Sequence, residues 1–181
     1  MKVIAPGKII LSGEHAVVYG NSALVMAVNR YSETIIKQRD DKRLSFNLID
    51  FNNYDSYSID DLRNKSQQLD LNYDLFLNKK INVKQIVNSP GDIFAYLCIK
   101  FFATFAVKVK SGIECTIKSE IPTGCGMGSS ASTIMSLARG LAGFFRLMLI
   151  RNNYTLWDSK LKNLYTAIQV VWILMFRYME D

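Results

Sequence analysis

The stretch Pro122-Thr123-Gly124-Cys125-Gly126-Met127-Gly128-Ser129-Ser130-Ala131 decides how the rest of the chain is read. Just beyond it Ile134, Leu137, Ala138, Leu141 and Phe145 recur at three- and four-residue spacing, the period of a helix with one apolar face. The glycines at alternate positions therefore open a helix. Without side chains there, successive backbone N–H groups can converge on an anion, and the helix directs its positive dipole end at the same point. Such a loop suits a nucleotide triphosphate, with Ser129 or Ser130 in the first helical turn able to ligate Mg²⁺ or donate to a phosphate oxygen. The glycines alone fit a ligand-free turn with an N-capping serine equally well. The pattern is not Walker A, because no Lys follows the last Gly, and its Gly spacing is not that of the dinucleotide fingerprint.

Upstream of the loop, Ile113 to Lys118 alternates in polarity and is expected to be a strand. Ser89-Pro90-Gly91-Asp92 has the form of a helix start, with Ser89 as N-cap, and Ile93 to Phe105 supplies a helix apolar nearly all round, suited to burial. The segment from Asn52 to Asn88 is rich in Asn, Asp, Ser and Lys, with scattered apolar anchors, and reads as irregular or part-helical. Leu44 to Phe51 and Tyr31 to Lys37 alternate, as antiparallel strands with one wet face do, and are expected at sheet edges or as hairpin arms. Asp40-Asp41-Lys42 is a plausible turn. Short apolar runs between Val3 and Val28, broken by Gly, Pro and polar residues, read as β-structure. Strands first and helices interleaved later point to an α+β fold.

A second segment carries chemistry: Ala5-Pro6-Gly7-Lys8-Ile9-Ile10-Leu11-Ser12-Gly13-Glu14-His15-Ala16-Val17-Val18-Tyr19-Gly20. It threads a Lys, a Glu and the only His through apolar strand residues. Taken singly, Lys8 reads as a solvated cation, Glu14 as a surface ion-pair partner and His15 as a structural hydrogen-bonding group. Their clustering favours a site.

Together the two segments resemble the first and second motifs of the galactokinase, homoserine kinase and mevalonate kinase superfamily. The wording P-G-K-x-I-L-x-G-E-H-A-V-V-x-G, with x-I-L here Ile9-Ile10-Leu11, is closest to mevalonate kinases. The resemblance runs from Met1 to about Leu147, firm at the two motifs and loose from Asn52 to Asn88. It implies a ribosomal-S5-domain-2-like α+β amino-terminal kinase domain over residues 1–147, with a ferredoxin-like second domain missing. It implies ATP and Mg²⁺ as cofactors and phosphorylation of mevalonate to 5-phosphomevalonate, in isoprenoid precursor synthesis. Lys8 would lie between the mevalonate hydroxyl and the transferred phosphoryl group, stabilising developing charge. Glu14 and His15 would shape the substrate side. Pro122 to Ala131 would wrap the ATP phosphates, and Ser130, or Ser129, would reach the metal. The nucleotide side is better specified than the alcohol: phosphomevalonate, a sugar or homoserine are alternative acceptors, and a non-catalytic nucleotide-binding module is an alternative of another class. The family's acidic metal ligand and its Asp base within P-S-G-x-D are not found in this chain. Lost general-base help costs typically 10²–10⁴-fold, so low or no activity is expected of this chain.

Residues 148–181 carry no family feature in the frame as written, and form an aberrant tail in this reading. Rebuilding each codon from the last base of one and the first two of the next forces Gly from Trp157-Asp158, Asp from Trp172-Ile173 and Gly from Met179-Glu180. The intervening codons permit H-G-N-P-S-G-V-D, which resembles the missing segment. A one-base slip between about Phe144 and Met148 is the expectation, and the sequence of the gene tests it.

The composition, 49% hydrophobic and 21% charged over 181 residues, is that of a globular protein. The net charge of +6 comes from dispersed Lys and Arg, an ordinary solvated surface that favours no nucleic-acid partner. Three widely spaced cysteines, Cys98, Cys115 and Cys125, form no C-x-x-C pair and argue against a disulfide framework or a zinc site. No signal-peptide run or membrane span is found. A cytoplasmic protein with a small-molecule substrate and ATP as partners is expected, with room for a homodimer at full length.

Overall fold

The computed structural model describes residues 1–82 and 85–147. The tail reading and its frame hypothesis lie outside the described residues.

Five strands form one sheet in the order β1-β2-β5-β3-β4, with β1 at Lys2–Ser12, β2 at Leu24–Arg39, β3 at Arg43–Leu48, β4 at Asn53–Ser58 and β5 at Gly112–Ser119. All neighbours are antiparallel except β3 and β5, which run parallel with Phe46 opposite Cys115. Helices α1 (Ile59–Leu77), α2 (Pro90–Thr104) and α3 (Ser129–Phe144) complete the α+β fold. The expected strands and helices are present, but two placements differ.

The alternating segments that became β2 and β3 are hairpin arms, antiparallel to β1 and β4 respectively, rather than sheet edges, and they do not pair with each other. The turn around Asp41 joins them in sequence, yet β5 inserts between them, antiparallel to β2 and parallel to β3. Alternation reports one covered face and is silent about which strand arrives alongside. The stretch from Asn52 to Asn88 is part-helical, as read, through a 19-residue helix, and the second difference is that it also holds strand β4. The Ser58 hydroxyl accepts the Asp61 N–H at 3.1 Å as N-cap, and Asp60 and Asp61 lie in the first turn. Leu62 and Leu69, two turns apart, are its buried anchors.

The core lies on one face of the sheet. On β2 the residues Ser32, Thr34 and Ile36 point inward beneath α3, while Phe46, at 0% exposure, packs against Phe94 of α2 with ring centroids 6.1 Å apart. Burying rings of this size contributes roughly 2–3 kcal/mol each. As expected from its composition, α2 is buried through most of its length. The N-cap position Ser89 makes no side-chain cap; instead Asp55 of β4 accepts the Gly91 N–H at 3.1 Å and Asp92 accepts the Asn88 N–H at 3.1 Å. Among the described residues no helix is long and apolar enough to cross a membrane.

Candidate functional site

The glycine-rich loop is pinned at its leading end. Asp50 accepts the Ser119 N–H at 2.6 Å, the Glu120 N–H bonds Tyr31 C=O at 2.9 Å, and the Ser119 hydroxyl accepts the Ile121 N–H at 3.2 Å. Its trailing end is α3 itself, whose first intrahelical bond runs from Ser132 N–H to Gly128 C=O at 2.9 Å. Between these anchors Gly124, Gly126 and Gly128 take φ of +74°, +68° and +71°, a conformation that side chains with a Cβ adopt at a cost. A Cβ at Gly124 or Gly126 would meet nothing within 4 Å, so the loop is open on that side. Pro122 to Gly126 are exposed, Met127 and Gly128 half-buried, and Ser129 and Ser130 buried.

Lys8 meets the loop directly. Its backbone N–H donates to Met127 C=O at 2.9 Å, and its aliphatic chain runs against Gly128, where a Cβ would lie 3.0 Å from Lys8 Cγ. At Gly7 a Cβ would stand 2.8 Å from Met127 O. The two glycines let strand and loop touch backbone to backbone, carrying a cation on a flexible stem beside the glycine-rich loop. That combination can hold a polyphosphate: N–H donors and a helix dipole for its oxygens, an ammonium for its charge.

Glu14 and His15 lie exposed on the turn after β1, and among the described residues no hydrogen bond or ion pair ties either to Lys8 or to the loop. For a metal the residues near the loop offer hydroxyls, those of Ser129 and Ser130, and no group of three or more His, Cys, Asp or Glu side chains among the described residues could hold an ion. A concavity of about 390 Å³ opens at the far end of β5, lined by Leu62, Ile99, Phe102 and Ile113 together with Arg43 and Arg63; neither Lys8 nor the loop contributes to it.

One feature of the site is absent from a reading of apolar periodicity. The inner face of α3 carries Ser129, Ser132, Thr133 and Ser136, bonded to hydroxyls and backbone of the sheet. Thr34 Oγ1 lies 2.7 Å from Ser136 Oγ, Thr133 Oγ1 donates to Ser32 Oγ at 3.1 Å, and Ser32 Oγ lies 2.9 Å from Ser119 Oγ. The signal was there in sequence, as hydroxyl residues at helical spacing on α3 opposite Ser32 and Thr34 at strand spacing.

The family profile described as GHMP kinases N terminal domain matches residues 88–167, the span that includes α2, β5, the loop and α3. The mevalonate kinase of Methanocaldococcus jannaschii is 36% identical over 147 residues, covering 80% of this chain and 41% of that protein. This chain carries a GHMP kinase N-terminal domain. The mevalonate kinase of Bos taurus is 29% identical over 154 residues, covering 77% of this chain and 38% of its own length. The crystal structure of the Methanococcus jannaschii mevalonate kinase superposes with a TM-score of 0.68 at 26% identity, covering 94% of this chain and 46% of that one. A Lactococcus lactis galactokinase complexed with galactose shares the fold, with a TM-score of 0.64 at 19% identity. The chain thus spans about two fifths of the length of the curated relatives it matches.

Proposed function

We propose that this chain is the nucleotide-binding portion of an ATP-dependent kinase of small alcohols, with mevalonate as the acceptor. One observation carries the reading: Lys8 and the loop from Pro122 to Ala131 form a single contact, through the Lys8 N–H bond to Met127 and the packing of its stem on Gly128. In this reading the N–H groups of residues 124–130 hold the phosphates of ATP, and the Lys8 ammonium neutralises charge that develops on the phosphoryl group as it passes to the alcohol. Mg²⁺, when bound, would offset the charge of the phosphate oxygens; Ser130, with Ser129 beside it, is the hydroxyl that would hold it in this reading. Glu14 and His15, on the turn after the Lys8 strand, are assigned to the acceptor side. The mevalonate kinases matched over four fifths of this chain support the acceptor.

The test is calorimetric titration of the chain with ATP and Mg²⁺. Gly126→Val is expected to abolish binding while leaving the fold intact, because its Cβ enters open space that the phosphates would occupy. Unchanged affinity in that variant overturns the cradle assignment. On the full-length protein, release of ADP on adding mevalonate, and not phosphomevalonate, galactose or homoserine, supports the acceptor; ATP binding with no turnover on any of them there leaves a non-catalytic nucleotide-binding module.

A further inference from the structure

Ser132 lies one turn into α3 and is 3% exposed. Its hydroxyl donates to Ala5 C=O at 2.6 Å and accepts the Ser32 N–H at 3.3 Å. Ala5 and Ser32 are register partners across β1 and β2, so one helix side chain bonds the backbone of two neighbouring strands at the same rung. Helix serines more commonly bond a carbonyl of their own preceding turn.

One pair beyond this rung the ladder breaks. Pro6 pairs with Tyr31, but Lys8 pairs with Ala27, leaving Gly7 alone on β1 opposite Val28, Asn29 and Arg30 on β2. Such bulges re-aim the strand that follows them. Here the re-aimed residue is Lys8, whose N–H goes to Met127 of the loop. The rung held by Ser132 lies one pair before the point where β1 turns toward that loop, and Ser132 is itself anchored to the loop's end by its N–H bond to Gly128 C=O.

We infer that Ser132 is a positioning residue for Lys8: its hydroxyl ties the β1–β2 rung to the first turn of α3 and so sets where Lys8 stands relative to the glycine-rich loop. The inference rests on the proposed nucleotide reading only for the consequence of that placement. Ser136 supplies the control. It is 0% exposed on the same helix face, but its hydroxyl meets Thr34 Oγ1 and Thr133 C=O, not the backbone of the β1–β2 rung.

Amide hydrogen exchange by NMR on the chain, without nucleotide, tests the placement. Ser132→Ala is expected to speed exchange at Lys8 about tenfold relative to core amides such as Phe46, the fold-change of one hydrogen bond at the upper end of its usual range. Ser136→Ala is expected to leave Lys8 unchanged on that scale. Equal effects from the two variants, or none from Ser132→Ala, overturn the inference. Should Ser132→Ala fail to fold, Ser132→Cys, which keeps a weak donor, is read in its place and is expected to give a smaller change of the same sign. A fluorescent ATP analogue adds a second readout: about tenfold weaker binding for Ser132→Ala and none for Ser136→Ala. If the unsubstituted chain does not bind the analogue, the nucleotide reading fails while exchange at Lys8 still decides the positioning role.

Discussion

Gly126 and Gly128 share a left-handed backbone and differ in what surrounds them. At Gly126 an added methyl enters open space, so Gly126→Ala is expected to cost only the backbone penalty, about 1–2 kcal/mol. At Gly128 the same methyl also presses on the stem of Lys8. Gly128→Ala should therefore show a comparable loss by urea denaturation together with faster exchange at the Lys8 amide, which Gly126→Ala leaves alone. Equal exchange in both variants would mean that the contact with Gly128 does not hold Lys8. The cysteines separate in the same way. Cys98 and Cys115 are buried in contact, where burial first and Cys115 second push the Cys98 thiol up, whereas Cys125 is exposed between two of the loop glycines. A thiol reagent applied to the native chain is expected to label Cys125 alone, and ATP to slow it. Rapid labelling of all three would mean that the α2–β5 core opens readily.

The junction of α1, α2 and β4 is held by a buried charge. Asp92, 1% exposed in the first turn of α2, accepts Lys65 Nζ at 2.7 Å, Tyr57 Oη at 2.7 Å and the Asn88 N–H. Burial by itself would raise this carboxyl, but the bonds from Lys65, Tyr57 and Asn88 outweigh it and hold the group below its ordinary value of 3.8. A carboxyl depressed by folding contributes stability that is fully present above the unfolded value and is lost as pH falls through the folded one. Asp92→Asn is expected to cost about 2–3 kcal/mol near neutrality, since Lys65 loses its ionic partner. Its urea midpoint should then fall less steeply than that of the unsubstituted chain below about pH 4. Parallel curves down to strong acid would show that Asp92 does not link pH to folding. At this scale the helix start before α2 was legible in Ser89-Pro90-Gly91-Asp92, but its actual caps come from Asp55 and Asp92. A cap supplied by another strand leaves no local pattern. The strand and helix between Asn53 and Leu77 were obscured because α1 is largely polar and buries few side chains of its own.

Across the whole molecule, cover is uneven. The first half of β2 pairs with β1 alone, before β5 joins at Ser32, and forms a two-stranded ribbon. Leu11, Leu24, Val25 and Met26 on that ribbon are 48–61% exposed, and Ile4 on β1 is 52% exposed. An apolar surface of this kind favours association. Sedimentation velocity is expected to show concentration-dependent self-association, reduced in the double variant Leu11→Lys and Leu24→Lys with a stability change within about 0.5 kcal/mol per site. A monomer at all concentrations would show that the ribbon is tolerated by solvent.

The sequence by itself determined the α+β class, the strand and helix identities of most of the chain, and the two segments assigned to the candidate site. Those properties are local: alternation, helical spacing, and glycines that relieve the backbone at Gly124, Gly126 and Gly128. Only the tertiary structure decided that Lys8 and the loop, more than a hundred residues apart, share one contact, and that β5 lies between β2 and β3. It alone showed that Ser132 reaches across to the rung of Ala5 and Ser32. Strand order and long-range hydrogen bonds depend on which surfaces meet once the helices bury one face of the sheet, and no residue's neighbours in sequence carry that information.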